Sequence, residues 1–126
     1  MKKLISGAVV LGFAAITLSA GSAMAGDAAA GQAVFEKKCA TCHDLGDKKK
    51  MGPGLKGATD RHKDDAWLTS WISDPQATWD AAAPETEALK ASQNKTGKPK
   101  TAMKVKGLSA DDVANVIAFL KKNDGK

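Results

Sequence analysis

Cys39-Ala40-Thr41-Cys42-His43 sets two thiols three positions apart, with an imidazole directly after the second. Thiols at that spacing can each form a thioether with one vinyl group of a porphyrin. The histidine is then held beneath the ring, where its imidazole can ligate iron, and the pattern reads as the attachment signature of a c-type haem. A covalent tether makes haem loss nearly impossible, so the cofactor becomes a permanent part of the core. Two other chemistries share the Cys-x-x-Cys spacing. A thioredoxin-like dithiol asks for a strand ahead of the motif in a βαβ pattern, and none is legible. A structural zinc site asks for two more Cys or His ligands. Beyond His43 only His62 remains, alone between Arg61 and Lys63 and read as solvated. Both cysteines of the chain lie in the motif. Haem attachment is therefore the leading reading, with a dithiol or metal site as the alternative.

The N-terminus predicts where this happens. Met1-Lys2-Lys3 is a short positive region, Leu4 to Leu18 is mostly apolar, and Ala23-Met24-Ala25 is a small-residue cleavage site. Residues 1–25 read as a secretory signal peptide and 26–126 as one domain in the periplasm. The apolar run is short and interrupted for a span that needs about 20 apolar residues, so no stable membrane insertion is expected after cleavage. An uncleaved anchor is the alternative. An oxidising compartment also suits the chemistry, because no cysteine is left over to pair elsewhere.

A domain of this size has a thin core for its surface, and a buried porphyrin would supply apolar area that side chains alone do not. Removing Lys2 and Lys3 with the leader takes the net charge from +5 to +3. The chain is mildly basic, but it holds one arginine, Arg61. It lacks the clustered arginines and interleaved aromatics of a nucleic-acid binder, so no nucleic acid is expected as a partner.

The elements that must position the motif are helical. Asp27 can cap a helix over about 28–39 that ends on Lys37-Lys38, the charge order a helix dipole favours. Gly31, Val34 and Phe35 share one face. A glycine inside a helix costs about 1 kcal/mol against alanine, so Gly31 predicts close approach by another helix. Ser109-Ala110-Asp111-Asp112 resembles a capping box, and Val113, Val116, Ile117 and Leu120 then form a complete amphipathic stripe. A third helix is expected over 64–73, carrying Trp67, Leu68, Trp71 and Ile72 and stopped by Asp74-Pro75. A weaker one is expected over 84–91. Residues 92–101 read as loop, as does the stretch holding Trp79. No β alternation, repeat or domain boundary is visible.

Three features together resemble the bacterial class I c-type cytochromes, over nearly all of residues 26–126: Gly31-x-x-x-Phe35-x-x-x-Cys39-x-x-Cys42-His43, Gly52-Pro53-Gly54-Leu55, and Val116-Ile117-Ala118-Phe119-Leu120-Lys121-Lys122. The resemblance implies an all-α cytochrome c fold of three to five helices around one covalently attached haem. The N- and C-terminal helices would cross at Gly31, Phe35, Val116 and Phe119. A histidine ligand needs its second nitrogen fixed by a hydrogen bond, and the resemblance makes the Pro53 carbonyl its partner. It also implies a sixth ligand in the loop before the last helix, where Met103 lies. Met51, beside the Gly-Pro turn, reads as pocket wall or surface, and His62 as a remote alternative ligand. Leu55, Leu68 and Ile72 are candidate pocket walls by position and apolarity, and Trp79 is a candidate donor to a haem propionate. Many family members carry proline directly after the ligand methionine, whereas this chain has Lys104, which leaves the loop less constrained. Lys100 or Lys104 is a candidate to displace Met103 at high pH.

Iron with both axial positions filled offers no open site for substrate, so the expected function is a soluble electron carrier and not an enzyme. Methionine opposite histidine raises the potential relative to harder ligands. The alternatives are a dedicated redox subunit of an enzyme complex, or a sensor or peroxidase-like protein in which Met103 dissociates. Redox proteins with acidic docking surfaces are the expected partners of a monomer. Lys37, Lys38, Lys48, Lys49, Lys50, Lys98, Lys100, Lys104 and Lys106 are candidates to steer them, against the plainer reading of a solvated surface.

Overall fold

A computed structural model describes residues 26–126, and the leader reading over 1–25 lies outside them. The described residues form six helices: α1 (Ala28–Lys38), α2 (Ala58–Arg61), α3 (Asp65–Ser73), α4 (Pro75–Ala81), α5 (Pro84–Ser92) and α6 (Ala110–Asn123). None is long and apolar enough to cross a membrane.

The two terminal helices form where local chemistry places them. The Asp27 carboxylate accepts from the Ala29 and Ala30 N–H groups at the start of α1. Ser109 and Asp112 make a complete reciprocal capping box at the start of α6. α1 and α6 make the most extensive contact of any two helices. Gly31 is the reason they can. A Cβ built there would lie 1.9 Å from the Asn115 carbonyl oxygen, so the backbones touch where no side chain fits. Phe35 and Phe119 flank that point with ring centroids 5.6 Å apart. Phe35, Val113, Val116, Ile117 and Leu120 are buried with Trp67, Leu68, Ile72 and Cys39 in one core, so the cysteine motif begins inside it.

The count of six exceeds the three to five expected because α2 and α4 are short. Asp74-Pro75 does end α3, and it also starts α4. The Asp74 N–H closes α3 on Ser70, its side chain caps the Ala77 N–H, and Pro75 sits in the first turn, where its missing N–H costs nothing. Trp79 is therefore helical and buried instead of lying in a loop, and its indole N–H donates to the Lys98 carbonyl at 2.8 Å. The expectation of that N–H as a propionate donor is corrected accordingly. The expectation of a solvated His62 is corrected too. Its ring stacks on Trp67 with centroids 4.8 Å apart, and Nδ1 lies 2.7 Å from Glu85 Oε1. Trp67 stacks in turn on Trp71, and Trp71 packs on Trp79. All three tryptophans thus form one wall across α3 and α4.

Candidate functional site

The motif is a continuation of α1. Cys39 caps that helix, with its N–H on the Phe35 carbonyl, and the Cys42 and His43 N–H groups both return to the Cys39 carbonyl. The chain therefore turns tightly, Cys39 goes inside, and Cys42 and His43 stay half-buried. Burial, helped by the neighbouring Cys42, pushes the Cys39 thiol above its ordinary pKa. A redox-active dithiol needs the opposite shift.

His43 is fixed from its own side of the chain. The Gly52 N–H donates to the Cys42 carbonyl at 2.8 Å, and the Leu55 N–H to the Asp44 carbonyl at 2.8 Å. These bonds fold the Gly52-Pro53-Gly54-Leu55 turn back against the motif. His43 Nδ1 then lies 2.9 Å from the Pro53 carbonyl oxygen. A carbonyl only accepts, so Nδ1 carries the proton and Nε2 keeps its lone pair for a metal. Gly52 makes room for the ring, since a Cβ there would lie 2.4 Å from His43 Cε1. Leu55 is half-buried and packs against the core, whose buried members include Leu68 and Ile72.

Met103 is placed on different terms. It is half-buried in the segment between α5 and α6 and borders an open cavity of about 520 Å³. Asp74, the start of α4 and residues 99–101 and 103–106 line that cavity with Asp80, and no residue of the cysteine motif does. The Met103 N–H donates to Thr101 Oγ1 at 3.2 Å, and the Thr101 N–H donates to Gln76 Oε1 at 3.2 Å. Gln76 Nε2 also donates to the Pro99 carbonyl. Gln76 is thus the residue that ties this loop down. Sequence reasoning passed over it because α4 was not expected. Met51 is 79% exposed, the surface end of its two expected placements.

The donor set fits a haem. The two thiols are free of any disulfide, one imidazole offers a bare Nε2, and one thioether borders a cavity. Among the described residues no three His, Cys, Asp or Glu side chains gather as a metal cluster. The Cytochrome c family profile matches residues 28–124. The chain belongs to the cytochrome c family. It is 38% identical over 123 residues to cytochrome c2 of Rhodospirillum rubrum, covering 86% of this chain and 90% of that protein. It is also 38% identical over 121 residues to cytochrome c-554 of Methylosinus trichosporium, covering 89% of each. Cytochrome c2 of Pararhodospirillum photometricum is 37% identical over 109 residues, covering 76% of this chain and 96% of that protein. As a member of this family the chain carries one c-type haem on Cys39 and Cys42, and it is an electron-transfer protein that works with redox partners, not an enzyme.

Proposed function

We propose that the mature chain, released after Ala25, is a monomeric one-electron carrier of the periplasm, with His43 Nε2 and Met103 Sδ in the two axial positions. The bound haem supplies a single-electron redox couple. The protein's part is to hold both iron faces, keep water out and present one edge to partners. The Nδ1–Pro53 contact carries the reading, because it commits His43 to one tautomer with Nε2 free. Among the described residues Met103 carries the less exposed of two methionine thioethers, on a segment otherwise rich in lysine. A thioether opposite imidazole favours the reduced state.

The lysines favour acidic partners. Lys37, Lys38, Lys48, Lys49, Lys50, Lys98, Lys100, Lys104 and Lys106 are all exposed. The Lys38 ammonium lies 3.5 Å from the Lys106 carbonyl, which joins the lysines of the cysteine-motif side to those of the methionine loop. Association with an acidic partner should slow steeply as salt rises. The deciding experiment is an optical spectrum with a redox titration of the purified holoprotein and of Met103→Ala. The parent should show a sulfur–iron absorption band, and Met103→Ala should lose it and drop in potential. A band that survives Met103→Ala would remove Met103 from the iron. N-terminal sequencing should begin at Gly26.

A further inference from the structure

We propose that Met51 is the apolar contact at which an acidic redox-partner protein docks, so that electrons pass beside the Cys42 sulfur. The inference rests on the carrier reading above and adds the residue that sets the docking position. Met51 is the single large hydrophobic side chain exposed among the described residues, at 79%. One exposed apolar residue is ordinary on any surface, and its placement is what separates this one. Its Sδ lies 3.8 Å from Cys42 Sγ, one of the two atoms that carry the haem. It follows Lys48, Lys49 and Lys50 directly, all exposed.

Bonds on both sides fix the loop backbone at Met51. The Lys50 N–H donates to the Gly52 carbonyl at 3.0 Å, the Gly52 N–H to the Cys42 carbonyl at 2.8 Å, and the Lys50 ammonium to the Ala40 carbonyl at 3.0 Å. The backbone is thereby fixed on both sides of Met51 at the edge of the motif, where its Sδ meets Cys42 Sγ. An unbranched, polarisable thioether adapts to an irregular partner surface. An apolar centre beside cations is the usual layout of a docking site, in which the centre sets affinity and the charges set approach. Lysines on one side select a carboxylate-rich partner. A partner seated there delivers its electron beside the Cys42 attachment, and no proton or bond changes accompany it.

The test measures reduction of the holoprotein by reduced flavodoxin, an acidic one-electron donor protein, and by a small uncharged quinol, across a salt series. Met51→Ala should slow the flavodoxin reaction about fivefold to tenfold, with its salt slope, quinol rate and reduction potential unchanged. Met51→Leu should stay within about twofold of the parent, since it keeps the apolar contact. Replacing Lys48 and Lys49 by glutamate should slow the flavodoxin reaction and flatten its salt slope. Equal flavodoxin rates for Met51→Ala and parent would overturn the proposal. So would an unchanged flavodoxin rate with lost binding to phosphatidylglycerol vesicles, which would make Met51 a lipid contact. A parent that accepts electrons from neither donor would overturn the carrier reading instead.

Discussion

The two sides of the haem site are built from different materials. On the histidine side the chain folds on itself within about a dozen residues, and backbone groups make the decisive bonds: Gly52 to Cys42, Leu55 to Asp44, and the Pro53 carbonyl on His43 Nδ1. On the methionine side the loop hangs from another helix through side chains, Gln76 on Thr101 and Pro99, and Thr101 on Met103. Backbone bonds within a short loop survive most substitutions. A side-chain bond across 25 positions is lost with one. With the ligands proposed above, the iron would be firmly held on the histidine face and adjustable on the methionine face.

The largest effect should come from crowding the rigid side. In Gly52→Ala the new methyl would meet His43 Cε1 at 2.4 Å and Nδ1 at 2.8 Å. The ring must leave Pro53, and the yield of haem-loaded protein should fall more than tenfold, read as haem per polypeptide after export. Gly97→Ala is the matched change on the other side. Nothing lies within 4 Å of its Cβ position, and φ is +76°. It should cost only the strain of a left-handed residue, about 1 kcal/mol, with normal haem content. Similar losses for both would erase the contrast between the two sides.

Gln76→Ala comes next. It removes the acceptor of the Thr101 N–H and the donor to Pro99, at about 1 kcal/mol net for such bonds. That energy holds the methionine loop in place, so less alkali should release it. Since one pH unit is about 1.4 kcal/mol, the midpoint for loss of the sulfur–iron band should fall by roughly 0.7 unit, with His43 retained. An unmoved midpoint would mean the loop is held by something other than Gln76.

What could be read along the chain follows the same divide. The cysteine motif, the Asp27 cap and the Ser109–Asp112 box all act over a few residues, and Gly31 betrays its distant partner in α6 by being a glycine inside a helix. The misreadings fall where partners are distant and no local mark announces them. Asp74-Pro75 has the marks of a stop, and only the packing of α4 shows that it is also a start. Trp79 finds its acceptor at Lys98 and His62 its partner at Glu85, 19 and 23 positions away. Gln76 was invisible for the same reason. A single glutamine carries no periodic signal, and its partner lies beyond a whole helix.

Acid should test the outer anchor of the histidine side. The Asp124 carboxylate, just past α6, accepts from the Gly57 and Thr59 N–H groups and the Thr59 hydroxyl at the start of α2. Partial burial alone would raise its pKa. The hydrogen bonds from Thr59 and Gly57, with the charge of Lys126, outweigh burial and hold it below the ordinary carboxylate value. A depressed folded pKa gives stability that is present above the unfolded value of about 3.9 and is lost as pH falls through the folded one. Asp124→Asn should cost about 1 kcal/mol at neutral pH by denaturant unfolding. The gap to the parent should close as pH drops into that acid window. A gap that stays constant down to low pH would place the effect in packing and not in the charge.

The smallest effect is expected from the one ion pair on the histidine loop itself. Lys56 Nζ lies 3.3 Å from Asp47 Oδ2, with the two side chains 67% and 80% exposed. An exposed pair gains little Coulomb energy in water and gives up side-chain freedom to form. Lys56→Ala should therefore change stability by less than about 0.5 kcal/mol, and leave the His43 environment unaltered in NMR spectra of the holoprotein. The backbone bonds from Leu55 to Asp44 and from Lys56 to Gly46 span the same gap and do not involve the lysine side chain. If Lys56→Ala nonetheless released His43, charge would be holding this loop, and the two sides of the haem would differ less than their bonding suggests.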